Sequence, residues 1–245
     1  MVKPLGAALT FYTALPVPFA WGVDIQYAAQ MAPTVGVLLG GCLGLLDWGL
    51  AAVGMPVLVG SVVVVLCWIG LTGGLHLDGA MDTADGLAVQ DPSRRLEVMS
   101  DSATGAFGAM AAIALLLLKA VALSAIPEGR EVGLVLAAGW GRWAQQVAIV
   151  HYPYLKPTGK GSFHKTALPS AWHLVPSGLL LAGISALPLG LQASPALAMK
   201  LAIGGAIAWV VPLWFARQLG GHTGDTYGAV VEWTEAIFLT VLTVS

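Results

Sequence analysis

An all-α fold, a polytopic helix bundle set in a membrane, is what this sequence predicts, and three observations predict it. Hydrophobic residues make up 57% of the 245 positions, charged residues only 10%, and mean hydropathy is +0.81. Soluble domains carry roughly a quarter charged residues. Apolar runs of about twenty residues, the length that crosses the hydrocarbon core, recur along the chain. The chain also holds 31 glycines, which let membrane helices approach one another closely. With no water in the bilayer core, each run must satisfy its backbone internally and is therefore helical.

Taken in order, the first element is Leu5 to Leu15. It is too short to span, only Lys3 precedes the apolar stretch, and Pro4, Pro16 and Pro18 bound it. It does not read as a signal peptide and predicts an interfacial helix. Spans follow at 33–54, 56–75, 105–126, 131–150, 172–192, 195–216 and 228–244. Seven transmembrane helices plus the N-terminal helix form one domain, 1–245, with short connections and no internal repeat. Cys42 and Cys67 lie within apolar runs and read as small buried hydrophobes rather than ligands.

Seven crossings place Lys3, Arg94–Arg95, the Lys156–Lys165 loop and Arg217 on one side, with Arg130 opposite. Lys119 and Lys200 are close enough to that opposite side to snorkel outward. Positive residues mark the cytoplasmic side. No basic face exists to track a phosphate backbone, so nucleic acid is excluded as a partner.

The chemistry concentrates in one segment. Of 24 charged side chains, eight fall between Asp78 and Asp101, and six of those are acidic. Asp78, Asp82 and Asp85 are spaced i, i+4, i+7, one stripe of a helix. Gly79 and Gly86 flank them and permit close backbone approach. Such crowded carboxylates repel unless a divalent cation neutralises them, and oxygen donors suit Mg²⁺ or Mn²⁺ rather than zinc. The plainer alternative is a solvated acidic helix end. A second stripe, Asp225 with Glu232 and Glu235, lies at the cytoplasmic end of the last span. Two stripes on one face could share two metal ions, as in phosphoryl transfer.

Basic groups complete the set. Arg142, near mid-span, needs a carboxylate or phosphate partner. Arg94 lies among the acids. Lys156, Lys160 and Lys165 crowd one loop and read either as a funnel for a phosphorylated substrate or as a topology signal. His76 reads as a base, a ligand or a hydrogen-bonded structural residue. His222, His164, His151 and His173 rank below it.

Four ordered segments then resemble a known family. His76-Leu77-Asp78-Gly79-Ala80-Met81-Asp82-Thr83-Ala84-Asp85-Gly86 is similar to the H-x-D-G-x-x-D-x-x-D-G signature of cobalamin synthases. Arg94 to Ser102 resembles the family's R-x-L-E-I-M-x-D-S, and Gly220 to Glu232 its G-G-x-T-G-D-x-x-G-A-x-x-E. Phe11 to Pro18 resembles the opening F-x-T-R-L-P-V-P, although Ala14 replaces its arginine. Ser100 and Ala103 stand where the family leads one to expect basic residues. Arg94, Arg142 or the lysine loop would have to make those phosphate contacts.

The resemblance implies a Mg²⁺-dependent transferase of the bacterial inner membrane, its site facing the cytoplasm. It would join adenosylcobinamide-GDP to α-ribazole or its 5′-phosphate and release GMP. Implied metal ligands are Asp78, Asp82, Asp85, Asp101, Asp225 and Glu232. Implied catalytic groups are His76, Asp82 and Asp85, and substrate contacts are Arg94, Arg142, Lys156, Lys160 and Thr223. Membrane lipid, a second copy of the chain and other cobalamin-assembly enzymes are the implied partners. Two rivals stand against this reading. A CDP-alcohol phosphotransferase would share Asp82-Thr83-Ala84-Asp85-Gly86, but Val89 occupies the place of its arginine. A cation transporter would carry its acids near mid-membrane on repeated, broken helices.

Overall fold

Helix α1 (Val2–Tyr12) opens the chain and packs, through Ala7, Ala8 and Tyr12, against a 3₁₀ turn at Ile25–Met31. The computed structural model describes residues 2–18, 24–156, 162–190 and 195–244. Asp24 caps the 3₁₀ turn by accepting from Gln26 N, and the chain runs on into α2 (Ala32–Ala52). Next come α3 (Val57–Thr72), α4 (Leu75–Ala88), the short α5 (Arg95–Val98) and α6 (Ala106–Ala125). Then follow α7 (Arg130–His151), the short α8 (Ser162–Ala167), α9 (Val175–Gly190), α10 (Pro195–Leu219) and α11 (Gly224–Leu242). Among the described residues there is no strand, only an isolated bridge between Tyr154 and His222.

Helix α7 forms the axis of the bundle and is buried from Leu136 to Ile149. Glycines on α2 set the closest contact. A Cβ at Gly40 would lie 2.5 Å from the Leu134 carbonyl oxygen, and one at Gly36 would strike the Ala138 carbonyl. This is the small-residue seam that brings membrane helices together where apolar burial gives no drive. At the far end, Arg130 grips Asp47 in a bidentate pair at 2.6 and 2.9 Å and reaches Ser61 at 3.0 Å, tying α7 to α2 and α3.

Each of the seven expected spans contains a helix. Among the described residues, three segments are long and apolar enough to cross a membrane: Ile25–Ala52, Ala106–Ala125 and Ala202–Leu219. A fourth results if α3 and α4 count as one span bent by 92°. The smaller number has a physical cause. Helices α7 and α11 carry Arg142, Glu232 and Glu235 in their interiors, and α3 has 16 residues. The bend comes from Gly73 and Gly74, both left-handed at φ of 60° and 71°, a region that favours glycine. It turns the acidic helix α4 out of line with the apolar α3. Cys42 is exposed and Cys67 half-buried, correcting their reading as buried residues. On membrane-facing helices an apolar thiol has no reason to be inside.

Candidate active site

Two helices build the site by touching backbone to backbone. A Cβ on Gly79 of α4 would lie 2.5 Å from the Asp225 carbonyl oxygen. One on Gly228 of α11 would lie 2.8 Å from the carbonyl oxygen of His76. The crossing therefore admits only glycine at both points, and it sets Asp78 and Asp82 of α4 beside Asp225 of α11. Asp78 and Asp225 sit in the first turns of their helices, where the macrodipole favours a carboxylate. Thr223 caps α11 in a reciprocal capping box with Thr226, and its hydroxyl also reaches Asp225 Oδ2 at 3.2 Å.

Lys156 completes this cluster. The bridge at Tyr154–His222, with Leu155 N donating to the His222 carbonyl at 2.8 Å and His222 N to the Pro153 carbonyl at 2.9 Å, pins the 152–156 strip beside α11. That places Lys156 Nζ 3.1 Å from Asp225 Oδ2. The Asp82 carboxyl is pushed up to about 6, first by burial and then by the charges of Asp78, Asp225 and Asp85, with Lys156 opposing.

The remaining candidates are placed differently. Asp85 accepts from Gly105 N and Gly108 N, each at 2.8 Å, so both its oxygens serve the start of α6. Asp101 is exposed and accepts from Ala103 N. Arg94 is exposed too, 3.7 Å from Glu97. Lys160 lies outside the described residues. Lys165 does not face a substrate path: it donates to the carbonyls of Ile149, Val150 and Tyr152 and closes the end of α7. His222 is buried, its ring bonded to Thr226 Oγ1 at 3.0 Å and the Pro212 carbonyl at 3.2 Å. Burial lowers its pKa to about 4, so it stays neutral and structural.

Glu232 and Glu235 correct the second stripe. Glu232 is buried about two turns and Glu235 about three turns below Asp225, and both join a four-charge cluster rather than the rim. Lys119 lies 2.6 Å from Glu232 and 2.5 Å from Glu235, and Arg142 Nη1 lies 2.7 Å from Glu235. Lys119 thus points inward, not to the far surface, because two carboxylates and the face of Trp68 offer it more than lipid does. His76 is buried and stacks near-parallel with Tyr12 at 5.8 Å. Tyr12 and Tyr227, to which the sequence reading gave no role, are buried beside histidines, Tyr12 against His76 and Tyr227 against His222. Tyr227 stood inside the glycine–aspartate motif as an unassigned position.

Among the described residues no three His, Cys, Asp or Glu side chains stand close enough to ligate one ion. Oxygen donors on two touching helices do suit a hard cation that takes one or two carboxylates and fills its shell with phosphate oxygens and water. Asp78 and Asp225 are such a pair.

A family model described as cobalamin-5-phosphate synthase matches residues 4–243. A protein of Trichormus variabilis named adenosylcobinamide-GDP ribazoletransferase is 58% identical over 97% of this chain and 95% of its own. Proteins of the same name from a Synechococcus species and a Roseiflexus species are 51% and 37% identical, over 98% and 99% of this chain and 96% and 90% of theirs. No solved structure matches.

Proposed function

Because the chain belongs to the cobalamin-5-phosphate synthase family, we propose that it transfers the adenosylcobinamide-phosphate moiety of adenosylcobinamide-GDP to α-ribazole or its 5′-phosphate. GMP leaves, and cobalamin or its 5′-phosphate forms. The observation that carries the reading is the α4–α11 crossing, which gathers Asp78, Asp82, Asp225 and Lys156 from three segments far apart in the chain. Neither a phosphotransferase of the CDP-alcohol type nor a transporter finds support among the relatives.

The reaction is an in-line displacement. A ribose hydroxyl of the acceptor attacks the phosphorus next to cobinamide, and the bond to the GMP oxygen breaks. Positioning and charge compensation supply most of the acceleration in such transfers. Lys156 approaches the site from the pinned strip and stabilises the diphosphate oxygens. Asp82, with a carboxyl near 6, takes the proton of the attacking hydroxyl; a base is most effective when its pKa lies near the working pH. Asp78 and Asp225 would hold Mg²⁺, and a bound divalent cation offsets the charge that builds on the leaving phosphate. The site faces the cytoplasm across a bacterial inner membrane, the side on which Lys3, Arg94, Arg95 and Arg217 collect.

The decisive assay uses purified protein with adenosylcobinamide-GDP and α-ribazole 5′-phosphate, and follows GMP release. Turnover with Mg²⁺ that disappears in excess EDTA is the expected result. Equal turnover in EDTA removes the metal, and no turnover under any condition removes the reading.

A further inference from the structure

Beneath the acidic site lies a second polar cluster that the chemistry above does not use. Among the described residues, eleven buried side-chain nitrogen and oxygen atoms have no hydrogen-bond partner. Six of them belong to four residues in one place: Arg142 Nε and Nη2, both ring nitrogens of His76, His164 Nδ1 and Tyr227 Oη. These side chains are 2% exposed or less. Tyr12 joins them, its ring near-parallel to His76 at 5.8 Å and to His164 at 6.3 Å, and His164 meets Tyr227 at 6.4 Å. Arg142 lies within electrostatic reach of both Tyr12 and His76.

Buried polar groups are nearly always paired, and each exception calls for an explanation. Leaving a donor of a charged group unmet costs more than leaving a neutral one. Arg142 is the most telling case. Its Nη1 is spent on Glu235 and the Ala138 carbonyl, at 2.7 and 3.0 Å. The Nε–Nη2 edge, the side that grips a phosphate or carboxylate with two parallel bonds, is the edge left over. Glu235 cannot fill it, since it is engaged by Nη1 and by Lys119. Tyr12 and His76 stand within electrostatic reach of Arg142, and their rings run on through His164 to Tyr227. Two parallel donors beside hydroxyls and flat rings describe a seat for a phosphate monoester carried on an aromatic nucleoside.

The cluster occupies the opposite faces of the same two helices that carry the reaction site. His76 precedes Asp78 by two residues on α4, and Tyr227 follows Asp225 by two on α11, a rise of about 3 Å in each case. We propose that the free edge of Arg142, with His76 and Tyr227, receives the 5′-phosphate of the acceptor nucleotide and so selects α-ribazole 5′-phosphate over α-ribazole. The proposal rests on the transferase reading above. The donor's diphosphate is the other phosphate source, and it belongs with Lys156 on the acidic side of α4.

The test compares the two acceptors in steady-state kinetics at saturating adenosylcobinamide-GDP, with wild type, Arg142→Lys and Tyr227→Phe. Lysine keeps the charge that Glu235 needs but loses the two-pronged edge. Arg142→Lys should raise KM for α-ribazole 5′-phosphate about tenfold or more relative to KM for α-ribazole and to KM for the donor. Tyr227→Phe deletes one hydroxyl only, should raise the same KM a few-fold, and stands in if the arginine variant does not fold. Equal KM changes for both acceptors would mean a structural role and overturn the proposal. A change confined to the donor KM would assign the edge to the diphosphate and overturn it too. Wild type that turns over neither acceptor would fail the transferase reading itself, and is thereby distinguishable.

Discussion

Asp82 is the residue whose environment says most about chemistry. Burial and three neighbouring carboxylates hold its carboxyl near 6. A general base works only when ionised, so kcat/KM should rise with pH through about 6 and level off above about 7. In the metal-free protein, Asp78→Asn removes one of the charges that raise Asp82, and the carboxyl titration followed by NMR should move down toward the ordinary carboxylate range. Asp82→Asn should lower kcat by about 10²–10⁴ with little loss of thermal stability. A pH profile flat from 5 to 8 would take Asp82 out of the proton transfer. Asp85, three residues on, shows how little its chemical type alone decides. It has the same side chain on the same stripe, yet two backbone N–H groups of α6 occupy it.

At the scale of elements, the crossing of α4 over α11 makes the site, and two glycines make the crossing. Alanine at Gly79 would push its Cβ into the backbone of Asp225, which unlike a flexible side-chain tip has nowhere to go. The helices must separate, at a cost of about 1–3 kcal/mol. Gly79→Ala should therefore lower both the unfolding temperature and kcat, as should Gly228→Ala. Alanine at Gly41, which has nothing within 4 Å, should change neither. A Gly79→Ala protein of normal activity would mean that the acids do not need this contact.

For the whole molecule, the four-charge cluster of Lys119, Arg142, Glu232 and Glu235 joins α6, α7 and α11 at the centre of the bundle. It is electrically neutral, which is what makes it tolerable there. Removing one member strands a buried charge: Lys119→Met should destabilise the protein by about 3–5 kcal/mol. Adding Glu232→Gln leaves only the Arg142–Glu235 pair and should recover most of that loss, which thermal unfolding in detergent can follow. A double variant no more stable than Lys119→Met would show that the charges do not act as a unit. The same cluster tethers α11 about two to three turns below Asp225, so the bundle core and the reaction site share one helix.

What the sequence determined by itself is what local rules control. Hydrophobic runs gave helices, because lipid forces every backbone group to pair within its own segment. The i, i+4, i+7 spacing put Asp78, Asp82 and Asp85 on one helix, and four ordered motifs named the family. Tertiary structure decided which of these groups meet. Asp225 joins Asp78 and Asp82 because glycines let two distant backbones touch. Glu232 turns away to Lys119, and Arg142 gives one edge to Glu235 and keeps the other. None of that follows from spacing, since charge pairing inside a bundle depends on which helices neighbour one another and how each is rotated. A single chain's local pattern carries neither quantity.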